Sequence, residues 1–457
     1  MNYYNEYTVA GEDMKAGMPH GSAGHGGRTE GGAPGPGKVC IACGAKLPAS
    51  PLFVLKDAPA SAQDIPDAEE VKQDRGVDLG LYQCGTCGLV QFDCTPVSYY
   101  RDVIRAGGFS TTMTELRRRQ YRHLIETYHL EGKKFLEVGC GRGEFIKVLT
   151  EFPVQVYGME HKADLVETAQ ADGLCVWQEF PEEPGQVFAG EKAGMMGEMG
   201  GEIHGPFDVF LSFNFLEHQP EPDVMLQAIR RNLAEDGMGL VTVPALEYIL
   251  EQGSYYELIR DHIAYYSFDT LGNLLTRNGF TVLEEEMLNR DTISMIVKKN
   301  PDWAAGDGSV KTAGTPGSET SDAARILTAG YDRVNQEIRH LLEELTAKGE
   351  TLAVWGASHQ GFTLAATTDI GIRAGYIIDS APFKQGRYAP ASHLPIVAPE
   401  HFRQEPVDVV LIVAPGYTGE IAGIIRQRFT PCPRILTLRT DHIEQLLVNG
   451  CNSSRGI

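Results

Sequence analysis

The chain has 457 residues and a formal net charge of −21, too long for one core and suited to two or three domains. No run of Lys or Arg stands out, which argues against a duplex nucleic-acid surface built on basic stripes. No apolar segment approaches membrane-spanning length and the N-terminus lacks the regions of a secretory signal, so a cytoplasmic protein is expected, its nine cysteines thiols or metal ligands rather than disulfides.

Residues 1–38 are Gly-rich and polar, with His20, His25 and the run Gly31-Gly32-Ala33-Pro34-Gly35-Pro36-Gly37. Too little apolar surface is available there to offset ordering entropy, so a disordered tail is expected, with the two histidines solvated. Residues 39–100 read as a small metal-binding module. Cys40-Ile41-Ala42-Cys43-Gly44 and Cys84-Gly85-Thr86-Cys87-Gly88 are two C-x-x-C-G knuckles with 40 residues between them. Each glycine permits the turn that aims two thiolates at one ion, and four thiolates in tetrahedral array suit a closed, structural Zn²⁺. The alternative is a redox pair, which two knuckles each followed by Gly disfavour. Cys94, Cys140, Cys175, Cys432 and Cys451 have no partner at ligand spacing and read as buried or incidental thiols.

Residues 101–300 read as a doubly wound α/β domain. Phe135-Leu136-Glu137-Val138-Gly139-Cys140-Gly141-Arg142-Gly143-Glu144-Phe145 is a buried strand, a glycine turn and a helix start. Gly139, Gly141 and Gly143 let a ligand lie on the backbone. The spacing is acidic-x-G-x-G-x-G rather than the dinucleotide G-x-G-x-x-G, and Glu137 beside the turn would repel a phosphate. A cationic, hydroxyl-bearing ligand fits better, and S-adenosylmethionine is one; the pattern is the first motif of class I methyltransferases. Glu160 closes the next strand, 21 positions past Gly139, where a carboxylate meets ribose hydroxyls. The alternative is a packing turn that binds nothing. The strand Phe207–Asn214 runs into Phe215-Leu216-Glu217-His218, so Asn214 and His218 fall at a carboxyl strand end, where ligands sit. His218 alone reads equally well as a packed or capping histidine. A helix is expected over 223–233 and a strand over 239–244. Next comes Tyr255-Tyr256-Glu257-Leu258-Ile259-Arg260-Asp261-His262, dense in functional groups. There Asp261 is expected to help hold the His262 imidazole near neutral pH as a base. Residues 185–205 read as a surface insertion and 301–322 as a linker.

Residues 323–457 form a second Rossmann-like unit by pattern: Val354-Trp355-Gly356-Ala357-Ser358-His359-Gln360-Gly361 is a strand-to-helix glycine turn, and Asp379 ends the next strand. A dehydrogenase domain is conceivable, although the full fingerprint is lacking. Lys384, Arg387, Tyr388 and His393 would suit an anionic diphosphate, or line a solvated loop.

Taken together, the knuckles ending Cys87-Gly88-Leu89-Val90-Gln91, the Glu137–Gly143 loop, the block at Asp261-His262 and the C-terminal stretches resemble the sugar C-methyltransferases, over nearly everything from Cys40 onward. The C-terminal stretches are 354–361, Ile377-Ile378-Asp379-Ser380, Lys384-Gln385-Gly386-Arg387-Tyr388, His393-Leu394-Pro395-Ile396 and Pro399-Glu400. The resemblance implies a Rossmann-like class I methyltransferase core, flanked by a zinc-binding module and a C-terminal domain that supports substrate. It implies that S-adenosylmethionine methylates a nucleotide-bound 4-keto-6-deoxyhexose through an enolate, with His262 as base and His218 as a second active-site histidine. Tyr255, Tyr256 and Arg260 are candidates for substrate contact. The family's Tyr-His-Glu-His reads Ile259-Arg260-Asp261-His262 here, and residues 99–110 show no clear counterpart of its further N-terminal tyrosine. A divergent member is therefore expected. O- or N-methylation of another small acceptor, and a non-catalytic scaffold binding cofactor or nucleotide sugar, are the competing readings.

Overall fold

The computed structural model describes residues 38–102, 111–191, 202–303 and 322–446. The tail with His20 and His25, Cys451, most of the 301–322 linker and the centre of the 185–205 insertion lie outside the described residues.

Alternation of apolar and polar residues builds the first strands, β1 (Phe53–Ala58), β2 (Val77–Gln83) and β3 (Val90–Phe92). In β1, Phe53 and Leu55 are buried while Val54 and Lys56 face out, as a half-buried strand requires. The three pair antiparallel in the order β1-β2-β3. Helix α1 (Thr111–Tyr128) then leads to the central domain.

That domain follows as β4 (Lys134–Val138), α2 (Glu144–Leu149), β5 (Gln155–Glu160), α3 (Ala163–Ala171), β6 (Val176–Gln178), the hairpin β7 (Ala189–Glu191) and β8 (Glu202–His204), and β9 (Phe207–Phe213). It continues as α4 (Pro222–Arg231), β10 (Leu233–Pro244), α5 (Leu246–Gln252), β11 (Ala264–Tyr265), α6 (Phe268–Arg277), β12 (Phe280–Leu288) and β13 (Thr292–Lys299). Seven of these strands form one sheet in the order β12-β13-β10-β9-β4-β5-β6. The pairs β4–β5, β5–β6, β4–β9 and β9–β10 are parallel, and β13 runs antiparallel to both neighbours. This is the class I methyltransferase sheet. The expected helix over 223–233 ends two residues earlier, at Arg231, because Leu233 already pairs with Phe207 at the start of β10. Ends of the 185–205 insertion pair as β7 and β8.

One pairing crosses the expected boundary at residue 100. The two residues of β11, in the middle of the methyltransferase segment, pair antiparallel with β3 and complete the sheet β1-β2-β3-β11. The N–H of Phe92 donates to the Ile263 carbonyl at 2.9 Å, so the backbone just after His262 is laced to the strand that follows the second knuckle.

The C-terminal part comprises α7 (Ala323–Lys348), β14 (Leu352–Trp355), α8 (His359–Thr367), α9 (Ile370–Arg373), β15 (Ile377–Ile378), β16 (Ile396–Val397), β17 (Val409–Ile412), α10 (Thr418–Arg428), β18 (Arg434–Arg439) and β19 (His442–Gln445). Its sheet order is β16-β15-β14-β17-β18-β19, parallel except for β18–β19. One apolar cluster runs from Leu55 and Phe92 of the small sheet through Tyr255 and Leu258 to Leu327, Phe362 and Leu411 of the C-terminal part. Burying such surface stabilises by about 25 cal/mol per Å², so this seam ties three segments together. Among the described residues no helix is long and apolar enough to cross a membrane.

Candidate active site

The strand order of the large sheet reverses between β4 and β9, and that switch point marks the crevice, beyond the carboxyl strand ends, in which open α/β sheets bind ligands. The glycine loop borders it. Gly139, Gly141 and Gly143 have φ of 74°, 58° and 81°, a region costly to any residue with a Cβ. Glu160, at the end of β5, is fully buried and holds this loop: its Oε2 accepts the Gly141 N–H at 2.9 Å and its Oε1 accepts the Lys162 N–H at 3.0 Å. Burial pushes its carboxyl above the usual range, while those N–H groups oppose the shift. Glu137 is buried within β4, one strand over. Asn214 follows β9 with φ of 49°, is exposed, and accepts a hydrogen bond from Thr242 Oγ1 at 3.0 Å. A bare glycine backbone with buried acidic residues beside it suits a cationic nucleoside and opposes a phosphate. The residues present fit S-adenosylmethionine on chemistry alone.

His218 ends a short 3₁₀ turn, Leu216–His218, just past β9. Its Nδ1 lies 2.8 Å from the Asp261 carbonyl, which can only accept, so Nδ1 carries the proton and Nε2 holds the lone pair. The rings of His218 and His262 stand 4.8 Å apart, tilted by 75°. Burial pushes the His262 imidazole well below its ordinary value, and the neighbouring His218 and His359 push the same way. At neutral pH it is an uncharged ring with a lone pair to offer.

The expected help from Asp261 takes another form. Its carboxylate is turned away from His262, with Oδ2 accepting the Ala62 N–H at 2.9 Å and Oδ1 accepting the Tyr99 hydroxyl at 2.6 Å. Asp261 therefore orients His218 through its carbonyl and docks the loop of the small module through its side chain. The low value at His262 comes from burial, not from a carboxylate, which would raise it.

Three groups that the sequence reading gave no role stand in this site. Tyr99 also meets Ser61 Oγ at 2.5 Å, and burial beside Asp261 raises its hydroxyl above the usual value. Glu217 is 2% exposed, and burial pushes its carboxyl up to about 8. Glu257 receives His359 Nε2 at 3.1 Å and donation from Gln360 Nε2 at 2.6 Å, joining the start of α8 to the segment before His262.

Other candidate substrate contacts are turned into seams between segments. The Tyr255 hydroxyl meets Thr367 Oγ1 at 3.0 Å, and that of Tyr256 donates to the Thr440 carbonyl at 2.8 Å. Arg260 donates to the carbonyls of Ala60 and Thr95, each at 3.0 Å. Arg387 donates to the Ile65 carbonyl at 2.7 Å, the Tyr388 N–H donates to the Pro66 carbonyl at 2.8 Å, and His393 Nε2 lies 2.8 Å from Asp74 Oδ2. These groups join the C-terminal part to residues 65–74 of the small module, and the anion cradle expected of them is not assembled. Lys384 differs. It stays at the carboxyl end of the C-terminal sheet, donating to the Ala357 carbonyl at 2.7 Å with Asp379 Oδ2 3.6 Å away.

Knuckle sulfurs converge as expected. Cys40 and Cys87 have Sγ atoms 3.5 Å apart, as do Cys43 and Cys84, and all four lie within 4.8 Å of one another. Four thiolates on tetrahedral zinc stand about 3.8 Å apart for a Zn–S bond of about 2.3 Å, so the set fits that ion with little adjustment. Gly44 and Gly88 have φ of 70° and 81°, the turns each knuckle needs. Cys94, Cys140, Cys175 and Cys432 stand outside this cluster.

Similarities to known proteins follow the same division into a central and a C-terminal part. Residues 113–285 match the family model described as "Methyltransferase domain", and residues 315–429 match "C-methyltransferase C-terminal domain". The sequence is 26% identical over 303 residues to C-methyltransferase NovU of Streptomyces niveus, covering 64% of this chain and 68% of that protein. Among solved structures it is similar to magnesium protoporphyrin IX methyltransferase (ChlM) of Synechocystis PCC 6803 with bound SAH, at 14% identity and a TM-score of 0.32, over 44% of this chain and 91% of that one. A SAM-dependent methyltransferase from Aquifex aeolicus is similar at 15% identity and a TM-score of 0.31, over 41% of this chain and 93% of that one. On the two family matches, the sheet order and the glycine loop, the chain is a class I methyltransferase that uses S-adenosylmethionine, followed by a segment similar to the C-terminal domain of C-methyltransferases.

Proposed function

We propose that this protein methylates a ring carbon of a nucleotide-linked 4-keto-6-deoxy sugar through an enolate, with His262 as the base. The observation that carries this reading is a half-buried, uncharged imidazole, with a second histidine of fixed tautomer against it. When bound, S-adenosylmethionine supplies an electrophilic methyl group. Glu137, the glycine loop, Glu160 and Asn214 are the residues proposed to hold it.

The His262 lone pair takes the proton α to the ketone, and its low basicity keeps it uncharged and ready near neutral pH. As the enolate forms, negative charge grows on the ketone oxygen. Ile259 has no side-chain donor to offer it, and the Tyr99 hydroxyl and the His218 Nδ1–H already donate to Asp261. The enzyme then chiefly positions groups and excludes water, since the methyl is already activated. For the nucleotide diphosphate, Lys384 at the carboxyl end of the C-terminal sheet is the residue of the expected set whose placement suits the role.

The test is incubation with a ¹³C-methyl donor and a panel of nucleotide-linked 4-keto-6-deoxy sugars, with the product read by NMR. The expected product carries the label on a ring carbon adjacent to the carbonyl. Label on oxygen or nitrogen, or no transfer to any of the panel, would reject the C-methylation of a keto sugar.

A further inference from the structure

The turn after β9 buries a carboxylate that the proton transfer does not use. Glu217 is 2% exposed, its Oε2 is buried without a hydrogen-bond partner, and its Oε1 stands 3.9 Å from His218 Nε2. An unpaired buried carboxylate is expensive, by several kcal/mol or more unless a proton or a cation joins it. Its neighbours supply the rest of a donor set. His218 has Nδ1 committed to the Asp261 carbonyl, so its lone pair lies on Nε2, the atom near Glu217. His262 stands ring to ring with His218 at 4.8 Å. One donor atom from each of the three residues lies within 4.8 Å of the other two.

We propose that Glu217, His218 and His262 form a second divalent-cation site, taking a first-row ion such as Zn²⁺ through one carboxylate oxygen and two imidazole nitrogens. Two histidines and a carboxylate are a donor set that zinc accepts, with coordination positions left open for water or a substrate oxygen. A ring N–H given to a backbone carbonyl is the arrangement that orients metal-bound histidines. Donor atoms on tetrahedral zinc lie about 3.3 Å apart for bonds of about 2.0–2.1 Å, so the three must close by about 1.5 Å at most, within reach of side-chain rotation. This site differs in kind from the knuckles, whose four thiolates leave no position open.

A consequence follows that rests on His262 being the base. A neutral imidazole has one lone pair, so a bound cation and a substrate proton compete for it. Excess zinc is then an inhibitor acting inside the active site.

The test uses the full-length protein with its knuckles filled by zinc, titrated with Co²⁺ and followed by visible absorption. One further equivalent is expected to bind, without a sulfur-to-cobalt charge-transfer band, and with affinity reduced at least tenfold in Glu217→Gln and in His218→Ala. No equivalent beyond the knuckle zinc, or binding unchanged in both variants, would overturn the site. Turnover assayed alongside is expected to fall with added Zn²⁺ over the range in which it binds. Binding without inhibition would overturn the competition while the site stands. Undiminished turnover of His262→Ala would instead overturn the base and leave the titration result intact.

Discussion

Replacing His262 with alanine lowers kcat by about 100- to 10,000-fold, the range for loss of a general base, while S-adenosylmethionine binding stays near its original strength. The split follows from placement. His262 lies outside the glycine loop, and among the described residues no hydrogen bond joins it to Glu160 or Gly141, whose contacts lie within the loop. The same ring fixes a pH dependence. Its folded-state value lies well below 6.5, so the uncharged form persists from neutral pH down past 6.5 and is lost only as pH falls through that lowered value. The acid limb of kcat/KM is accordingly expected below pH 6.5. Turnover and cofactor titration on the variant check the first expectation, and a pH–rate profile of the parent enzyme checks the second. Full turnover in His262→Ala, or an acid limb above 6.5, would reject the role.

The second large effect starts far from the crevice. Changing Cys84 to serine removes one thiolate of the four that converge at the knuckles. Structural zinc contributes about 10–16 kcal/mol of binding free energy to small domains that fold around it. The loss reaches the base because β3 directly follows the second knuckle and pairs with β11, while Phe92 N–H holds the Ile263 carbonyl, one residue from His262. Cys84→Ser is expected to lose most of its bound zinc and to lose turnover to the extent that His262→Ala does. The large sheet and the glycine loop are expected to remain, and cofactor binding with them. Metal analysis, cofactor titration and turnover on one preparation check this series of effects. Near-normal turnover in zinc-free protein would break the link between knuckle and base.

Features set by neighbours in sequence were legible in advance. The glycine loop, the acidic strand end at Glu160 and the knuckles each depend on spacing within about thirty residues, and local backbone demands dictate them. The alternation of strands and helices gave the class of both large sheets for the same reason. What escaped was long-range partnership. Arg387, His393 and Arg260 have the chemistry of anion ligands, but the charge on a residue does not say what it meets after folding. His393 meets Asp74 at a separation of 319 residues. Tyr99 joins Asp261 across 162 residues, and its only local signal was its place in an aromatic pair after the second knuckle. Glu217 carried no role in the sequence, and only its burial beside Leu216 and Tyr266 reveals a carboxylate out of water. The β3–β11 pairing needed two residues of strand, too short for any periodicity to announce.

The central claim is that a proton is removed from carbon before a methyl arrives, and hydrogen exchange in D₂O tests it most directly. The full-length protein, with S-adenosylhomocysteine in place of the methyl donor, is mixed with a nucleotide-linked 4-keto-6-deoxy sugar and the sugar is followed by mass and NMR. The account expects one deuterium to enter beside the ketone, faster than in a protein-free control and no faster than that control with His262→Ala. A sugar that gains no deuterium above the control, while the same preparation still transfers methyl from the intact donor, would contradict it.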